Sequence, residues 1–399
     1  MSDLQRLLVV SHVLHYEYDG RLYAYGPYAR EIDIWGDMFA EVVIAAPVQR
    51  TAPPGDALPF QRPNISLSPQ RETGGTTLLS KATQMLAIPG HLWRLACAMH
   101  RVDAIQVRCP GNLGLLGCIL APLFRKPRVA KYASQWSEFK TEPFSWRLQR
   151  RLLRSRWWRA PVLVYGQWPN QPPHIIPFFT SILNEFQMTR ARASKPRNWS
   201  QRPLVALFVG RLSQAKNVHV IIRALADLRR GGDDLQLRIV GDGPMRAELE
   251  DLGRNLNLGE RVFFEGAVPQ GRVLDFYEQA HILVLASQTE GWPKAIAEAM
   301  AFGLVCIGSD RGLVPQMLGE GRGLLVQPGD VSGLARALHS IAMGPREAGE
   351  MSNLSANWAR QFTLEGLREA IRKQLESSWA VNLRDVSAPA PQSSQAIVP

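Results

Sequence analysis

The chain has 399 residues, 46% of them hydrophobic, and a formal net charge of +11. This length favours two domains over one, and the apolar content is sufficient for ordinary cores. No apolar run approaches the roughly 20 residues of a membrane-spanning helix, so no such helix is expected. The positive charge indicates an anionic partner, such as nucleic acid, an acidic membrane leaflet or a phosphorylated substrate.

The cysteine content favours a reducing compartment. The chain contains Cys97, Cys109, Cys118 and Cys306. These positions have neither metal-site spacing nor a CxxC motif, which indicates buried free thiols. The N-terminal residues lack the layout of a secretory signal, so we expect a cytoplasmic protein.

The first half of the chain alternates apolar runs with helical stretches. Strands are predicted at 7–11, 41–45, 104–108, 128–132, 162–165 and 174–176, and helices at 28–39, 77–88, 91–101 and 113–123. Residues 46–75 are rich in proline, glycine and polar side chains, which predicts a long loop.

The second half alternates more regularly. Strands are predicted at 205–209, 235–240, 262–265, 282–285, 305–308 and 324–326, and helices at 218–229, 245–256, 271–279, 295–301, 331–341 and 364–378. This alternation predicts a parallel sheet with right-handed crossovers. The best linker is 188–202, which divides the chain into an N-terminal domain, 1–190, and a C-terminal domain, 200–365. Residues 381–399 have little to bury and are expected to be disordered.

The segment 289–303 carries two carboxylates, Glu290 and Glu298, after the strand at 282–285. Glu290 is predicted in the loop and Glu298 about one turn into the next helix, with Pro293 at the first helical position. The backbone amides of Lys294 and Ala295 would then point out of the helix start and form an anion site. An anion site beside two carboxylates fits a nucleotide sugar.

Two earlier strand ends carry candidate phosphate contacts. Arg211 and Lys216 bracket the loop after Gly210, where two cations would hold a diphosphate. The alternative is a pair of surface charges at a helix start. Gly243 lies in a Gly-Asp-Gly-Pro turn and permits close approach of a ligand to the backbone.

Taken together, Gly210-Arg-x4-Lys, Gly-Asp-Gly-Pro and Glu-Gly-Trp-Pro-x4-Glu-Ala-Met-Ala-x-Gly fall in order at successive strand ends. Over roughly 203–345 the chain resembles glycosyltransferase family 4, a retaining family with the GT-B architecture. The resemblance implies an α/β protein in which two Rossmann-like domains face each other across a cleft. It also implies that a terminal helix, 366–380, packs back toward the N-terminal domain.

The resemblance further implies the roles of individual residues. Arg211 and Lys216 would bind the donor diphosphate, Glu290 would face the transferred sugar, and Glu298 would accept hydrogen bonds from the ribose. Other implied donor contacts are Gly243, Trp292, Pro293, the amides of Lys294 and Ala295, and Gly20. In such enzymes fixed cations and helix dipoles replace a metal, so neither a metal nor a separate cofactor is expected.

The first half matches the family less closely. The loop after the first strand offers only Gly20 for donor phosphate, and Ala133 stands where many members carry a histidine. Further candidates near the acceptor are Arg108, Lys131, Ser134 and Gln135, for which plain loop positions are the alternative. Asn112 is expected to cap the helix that follows it.

Residues 145–159 combine arginines with tryptophan and leucine. Arg147, Arg150, Arg151 and Arg154 share one side at helical spacing. This pattern indicates either an interfacial helix on an anionic membrane or a core-packed helix with a solvated arginine face. No recognised nucleic-acid motif accompanies the charge.

We therefore expect a glycosyltransferase of the hexosyltransferase type, acting in polysaccharide or glycan assembly on a carbohydrate or lipid-linked acceptor. The alternatives are a GT-B enzyme of another class, such as a nucleotide-sugar epimerase or a phosphorylase, and a non-catalytic sugar-nucleotide or lipid-binding homologue. A nucleic-acid binder is the third alternative and would bind in a salt-sensitive way.

Overall fold

The structure is a computed structural model that describes residues 4–71, 78–139, 142–181 and 183–383. Backbone contacts divide the chain into two compact units. The first contains 1–133, 138–177 and 368–399, and the second contains 134–137 and 178–367. The second unit thus begins before the linker predicted from the sequence. The part of the predicted disordered tail from residue 384 onward lies outside the described residues.

The first unit is built on one sheet. Its strands are β1 (Arg6–Val10), β2 (His15–Tyr18), β3 (Arg21–Tyr25), β4 (Glu41–Gln49), β5 (Ala57–Pro59), β6 (Ile65–Gln70), β7 (Ala104–Cys109), β8 (Arg128–Tyr132), β9 (Val162–Tyr165) and β10 (Ile175–Phe178). The order is β10-β9-β8-β7-β1-β4-β2-β3-β5, with β6 also paired to β4. Strand β1 lies at the centre, parallel to β4 and β7, and Leu7 to Val10 are fully buried. The order reverses between β1 and β7, where parallel α/β sheets bind ligands.

Helices described beside this sheet include α1 (Gly26–Gly36), α2 (Leu78–His100), α3 (Asn112–Leu120) and α4 (Phe144–Arg154). Helix α2 is continuous through Pro89, where the sequence predicted two helices. Asn112 is the first residue of α3 and Gly111 is its N-cap, so the expected cap at Asn112 is wrong.

The predicted long loop at 46–75 is wrong over much of its length. Strand β4 extends to Gln49, and β5 and β6 add two further strands. Strands β2 and β3 form an antiparallel hairpin that the sequence interpretation also missed. β5 and β6 tolerate proline and polar residues because each pairs along one side and stands at an edge.

The second unit contains six parallel strands in the order β13-β12-β11-β14-β15-β16. They are β11 (Leu204–Val209), β12 (Leu235–Val240), β13 (Val262–Gly266), β14 (Ile282–Leu285), β15 (Val305–Ser309) and β16 (Gly323–Val326). All six predicted strands are confirmed within two residues. The order reverses between β11 and β14, so the carboxyl ends of these strands open the crevice in which such sheets bind ligands.

The helices of this unit are α5 (Glu185–Ala193), α6 (Val218–Arg230), α7 (Arg246–Asn255), α8 (Gln270–Gln279), α9 (Lys294–Ala301), α10 (Val314–Leu318), α11 (Val331–Met343) and α12 (Pro345–Ala359). Helix α5 occupies the start of the predicted linker, because Asn184 and Gln187 form a capping box. Helices α5, α10 and α12 were not predicted.

The last described helix is α13 (Leu364–Trp379). From Arg368 onward it belongs to the first unit, where Arg368 pairs with Asp37 at 3.2 Å. The indole N–H of Trp379 donates to the Arg128 carbonyl at 3.3 Å. Within the described part of the chain, every helix is too short or too polar to cross a membrane.

Candidate functional site

The loops after β11 and β14 are joined by side-chain and backbone hydrogen bonds. Asn217 has a left-handed backbone with φ 51° and lies directly before α6. Its side-chain amide donates to the Ala286 carbonyl at 3.0 Å, and the backbone amide of Gln288 donates to the Ala215 carbonyl at 2.8 Å. Because β11 and β14 flank the reversal of strand order, these bonds fix the geometry of the crevice.

Lys216 and Glu290 meet at this junction. The Lys216 ammonium donates to Glu290 Oε1 at 2.6 Å. The Glu290 side chain is 9% exposed and that of Lys216 is 29% exposed. Partial burial strengthens their attraction beyond that of a pair in bulk water. The structure therefore places these two predicted site residues in direct contact.

The backbone around Glu290 is packed against two other segments of the second unit. Gly312 has φ +57°, and a Cβ there would lie 1.7 Å from the Glu290 carbonyl oxygen. A Cβ on Gly291 would lie 3.0 Å from the Ser134 backbone. Glycine is required at residue 312, since it combines a left-handed backbone with this close approach.

Helix α9 begins at Lys294, and Pro293 is its N-cap, not its first helical residue as predicted. The amides of Ile296 and Ala297 donate to the Pro293 carbonyl at 3.0 and 3.3 Å. The amides of Lys294 and Ala295 precede them at the positive end of the helix dipole. This end is suited to an anion.

Glu298 is 6% exposed, and its carboxylate accepts a hydrogen bond from the Tyr277 hydroxyl at 2.9 Å. Burial and the charge of Glu298 raise the pKa of Tyr277 well above its ordinary value. Tyr277 therefore stays protonated and keeps donating to Glu298. Trp292, Lys294 and Glu298 line one small hollow of the second unit.

Trp292 is held by other aromatic side chains. Its ring stacks on Trp358 with the centroids 6.2 Å apart and meets Phe362 edge-on at 5.2 Å. The side chain is 9% exposed. Trp292 therefore anchors the start of α9 to α12. The sequence suggested this residue only as a contact to the donor.

Arg211 and Gly243 lie on adjacent loops at the ends of β11 and β12. A Cβ on Gly243 would lie 2.4 Å from the Leu212 carbonyl oxygen, and the Leu212 amide donates to the Asp242 carbonyl at 2.9 Å. Gly243 is thus needed for the packing of the two loops. Arg211 is exposed beside this contact.

The remaining candidates lie elsewhere. Gly20 has φ +67° and forms the exposed β2–β3 turn with Asp19, which explains the glycine without a ligand. Lys131 belongs to the first unit, whereas Ser134 and Gln135 belong to the second. Gln135 is 5% exposed and donates to the Ser137 hydroxyl at 3.0 Å.

Sequence interpretation missed the positioning parts of this site. Asn217 has no role in the sequence interpretation, although an Asn immediately before a predicted helix is a signal for a left-handed or capping position. Tyr277 carries no motif signal, because its contact with Glu298 depends on how α8 packs beside α9. Among the described residues, no three His, Cys, Asp or Glu side chains are grouped to hold a metal ion.

Residues 189–358 match the family model described as glycosyl transferases group 1. The matched residues lie within the second unit. They include the Lys216–Glu290 pair, Glu298 and the start of α9.

Curated relatives match this chain over part of their length. It is 28% identical over 202 residues to N-acetyl-alpha-D-glucosaminyl L-malate synthase of Bacillus anthracis, covering 50% of this chain and 51% of that protein. It is 31% identical over 183 residues to D-inositol 3-phosphate glycosyltransferase of Streptomyces avermitilis, covering 43% of this chain and 39% of that protein. The chain thus spans about half or less of the length of these relatives.

Solved structures match nearly the whole chain. Anabaena HepE, crystallised with UDP and glucose, matches with a TM-score of 0.66 and 16% identity, covering 94% of this chain and 100% of that one. Sucrose-phosphate synthase from Thermosynechococcus elongatus matches with a TM-score of 0.68 and 20% identity, covering 94% and 99%. The chain has the GT-B fold, with two Rossmann-like sheets, as the sequence predicted.

Proposed function

We propose that this chain is a retaining glycosyltransferase that moves a sugar from a nucleoside diphosphate sugar to an acceptor hydroxyl. The observation that carries the proposal is the contact of Lys216 with Glu290 where the strand order of the second unit reverses, within the residues that match the group 1 family model. A cation and a carboxylate at this point match a ligand that carries both phosphates and hydroxyls. The names of the relatives, which include a teichuronic acid and an amylovoran biosynthesis glycosyltransferase, support a role in polysaccharide or glycan assembly.

In this proposal the second unit binds the donor. The Lys216 ammonium has three N–H groups, so it can hold Glu290 and a phosphate oxygen at the same time. Arg211 adds a second cation from the same loop. The backbone amides of Lys294 and Ala295 donate hydrogen bonds to phosphate oxygens. Glu298, oriented by Tyr277, accepts hydrogen bonds from the ribose.

In the proposed reaction, the bond from the anomeric carbon to the diphosphate oxygen breaks and the nucleoside diphosphate leaves with that electron pair. The acceptor oxygen bonds to the same face of the anomeric carbon, and its proton passes to the oxygen of the departing diphosphate. Arg211 and Lys216 stabilise the charge that develops on the leaving diphosphate. Glu290 faces the transferred sugar.

We propose a hexose as the transferred sugar and a reaction that needs no added metal. The hexose is supported by the crystallisation of HepE with UDP and glucose. The metal-independent reaction is supported by Arg211, Lys216 and the α9 dipole, which supply the positive charge that a divalent ion would otherwise supply. Turnover is therefore expected to persist after treatment with EDTA, and its loss and recovery with Mg²⁺ would contradict this part.

We further propose a cytoplasmic enzyme that contacts the inner membrane face peripherally through 145–159. Within this segment Trp157 is 44% exposed beside the exposed Arg147 and Arg151, and Phe144, which directly precedes the segment, is 73% exposed. Aromatic and arginine side chains in the same exposed segment suit an anionic lipid surface.

The composition of this arginine face differs from the sequence expectation. Arg150 is buried and its guanidinium donates to Glu142 at 2.5 Å, so it does not belong to the solvated side. Cosedimentation with vesicles that contain about 30% anionic lipid, enough to give a strong surface potential, tests the contact. We expect Phe144→Ser with Trp157→Ser to abolish binding, and unchanged binding would overturn it.

The function itself is tested by incubating the protein with UDP-, GDP- and ADP-hexoses and candidate acceptors, followed by mass and NMR analysis of products. Nucleoside diphosphate together with an α-linked product from an α-linked donor supports the proposal. A nucleotide sugar with altered sugar stereochemistry would instead identify an epimerase, and donor binding without turnover a non-catalytic homologue.

A further inference from the structure

The first unit contains a buried group of charges that the donor chemistry does not use. Arg108 Nη1 lies 2.9 Å from Glu31 Oε1, and Lys131 Nζ lies 3.0 Å from Glu31 Oε2. The exposed fractions are 12% for the Arg108 side chain, 2% for Glu31 and 1% for Lys131. Two cations share one carboxylate, so this trio carries one net positive charge.

Such a charge is costly inside a protein. Burial lowers the pKa of Lys131, and the attraction of Glu31 opposes that change. Glu31 also raises the pKa of Arg108 despite its burial. The Arg108 guanidinium stays protonated at any ordinary pH, so the net positive charge depends on the Lys131 ammonium, and an anion bound beside Arg108 would offset it.

The trio also lies where a ligand is expected. Arg108 stands near the carboxyl end of β7 and Lys131 near that of β8. The strand order of the first sheet reverses between β1 and β7, so Arg108 borders the crevice of this unit. Arg108 is the most exposed member of the trio, and its guanidinium lies over the Tyr28 ring at 4.9 Å from the centroid.

On the other side of this crevice, the loop after β1 packs closely against the start of α3. The His12 ring lies against Gly111, where a Cβ would approach its Nδ1 to 2.5 Å. The Gly111 amide donates to Gln149 Oε1 at 3.1 Å, and Gly111 is the N-cap of α3. The start of α3 is therefore packed against the loop that follows β1.

We infer that the trio of Arg108, Lys131 and Glu31 is an anion subsite that binds a carboxylate or phosphate group of the acceptor. The inference rests on the proposed function and assigns the acceptor to the class of anionic molecules. Arg108 makes the direct contact through its N–H groups, while Lys131 and Glu31 hold the guanidinium in place and set the net charge.

The test uses the full chain with Lys216→Ala, which is expected to weaken phosphate binding in the second unit. Inorganic phosphate and succinate are titrated separately by calorimetry, and they distinguish the two sources of the anion. We expect saturable binding of at least one of them. Adding Arg108→Gln leaves a neutral Lys131–Glu31 pair, so the fold is retained while anion affinity falls more than tenfold.

Two further variants make the result decisive. Lys131→Met also neutralises the trio and is expected to weaken anion binding several-fold while the Arg108–Glu31 pair remains. Arg101→Gln removes an exposed charge of the same unit and is expected to leave affinity unchanged. Absence of saturable binding by both probes, or equal affinity with and without Arg108, would overturn the subsite.

Nucleoside diphosphate titration of the Arg108→Gln single variant separates this inference from the proposed function. We expect donor-side affinity to match that of the unmodified chain. Intact nucleotide binding without anion binding contradicts the subsite alone, whereas intact anion binding without nucleotide binding contradicts the proposed function.

Discussion

The ammonium of Lys216 and the carboxylate of Glu290 lie 2.6 Å apart, on the loops that follow β11 and β14. These strands are neighbours in the sheet, and the strand order reverses between them. The contact therefore joins two distant parts of the sequence at the ligand-binding edge of a parallel α/β sheet.

Lys216→Ala and Glu290→Gln are expected to reduce kcat/KM by about 100- to 1,000-fold, the usual loss when one stabilising contact to a developing charge is removed. Lys216→Ala should destabilise the protein by about 1–3 kcal/mol, because it removes the partner of a carboxylate that is 9% exposed, and Glu290→Gln by less, because its amide oxygen can still accept from Lys216. Steady-state assays and thermal melts measure both effects. Lys195→Ala, at an exposed lysine of the same unit, is the control and should resemble the unmodified chain.

Asn217→Ala is expected to loosen the junction between the two loops. The substitution loses the bond to the Ala286 carbonyl and places alanine in a left-handed conformation, which together cost about 2 kcal/mol. Asn217→Gly avoids the backbone cost, so it should melt at a higher temperature than Asn217→Ala. Both variants should lose activity to a similar extent, and full activity in either would show that the junction does not position Lys216.

Tyr277→Phe removes the hydroxyl that donates to Glu298. Because Glu298 is 6% exposed, losing this donor should destabilise the protein by about 1–3 kcal/mol. We also expect a higher KM for the donor with a smaller change in kcat, since the ribose contact is present in ground and transition states alike. An unchanged donor KM would separate Tyr277 from the donor site.

Gly312→Ala tests the packing behind Glu290. A Cβ at this position would lie 1.7 Å from the Glu290 carbonyl oxygen, so the loop must move. We expect a lower melting temperature and a loss of turnover. Gly271→Ala, at a helical position where a Cβ meets nothing within 4 Å, is the matched control and should preserve both.

The sequence was most informative where residue type and position along the chain carry the signal. Each strand of the second sheet is a short apolar run followed by a loop and a helix, so the strand ends and the placement of Glu290 in a loop could be predicted. The proximity of Lys216 and Glu290 followed from parallel topology. Their direct pairing did not, because it depends on the hydrogen bonds of Asn217.

The sequence was less informative in the first unit. The Asp19–Gly20 turn between alternating tyrosines is a hairpin signal, but Gly20 was assigned to donor phosphate by family resemblance. Arg150 was placed on a solvated face because helical spacing shows which residues share a side, not which side is buried. The short edge strands β5 and β6 have too few apolar residues to stand out from a loop.

The central claim is that the edge of the second sheet around Lys216 and Glu290 binds a nucleoside diphosphate sugar. It is tested most directly by calorimetric titration of UDP, GDP and ADP into the unmodified chain and into Lys216→Ala. The account predicts saturable binding of at least one nucleotide and a loss of affinity of at least tenfold in the variant. Equal affinity in the two proteins, or no binding of any of the three, would contradict it.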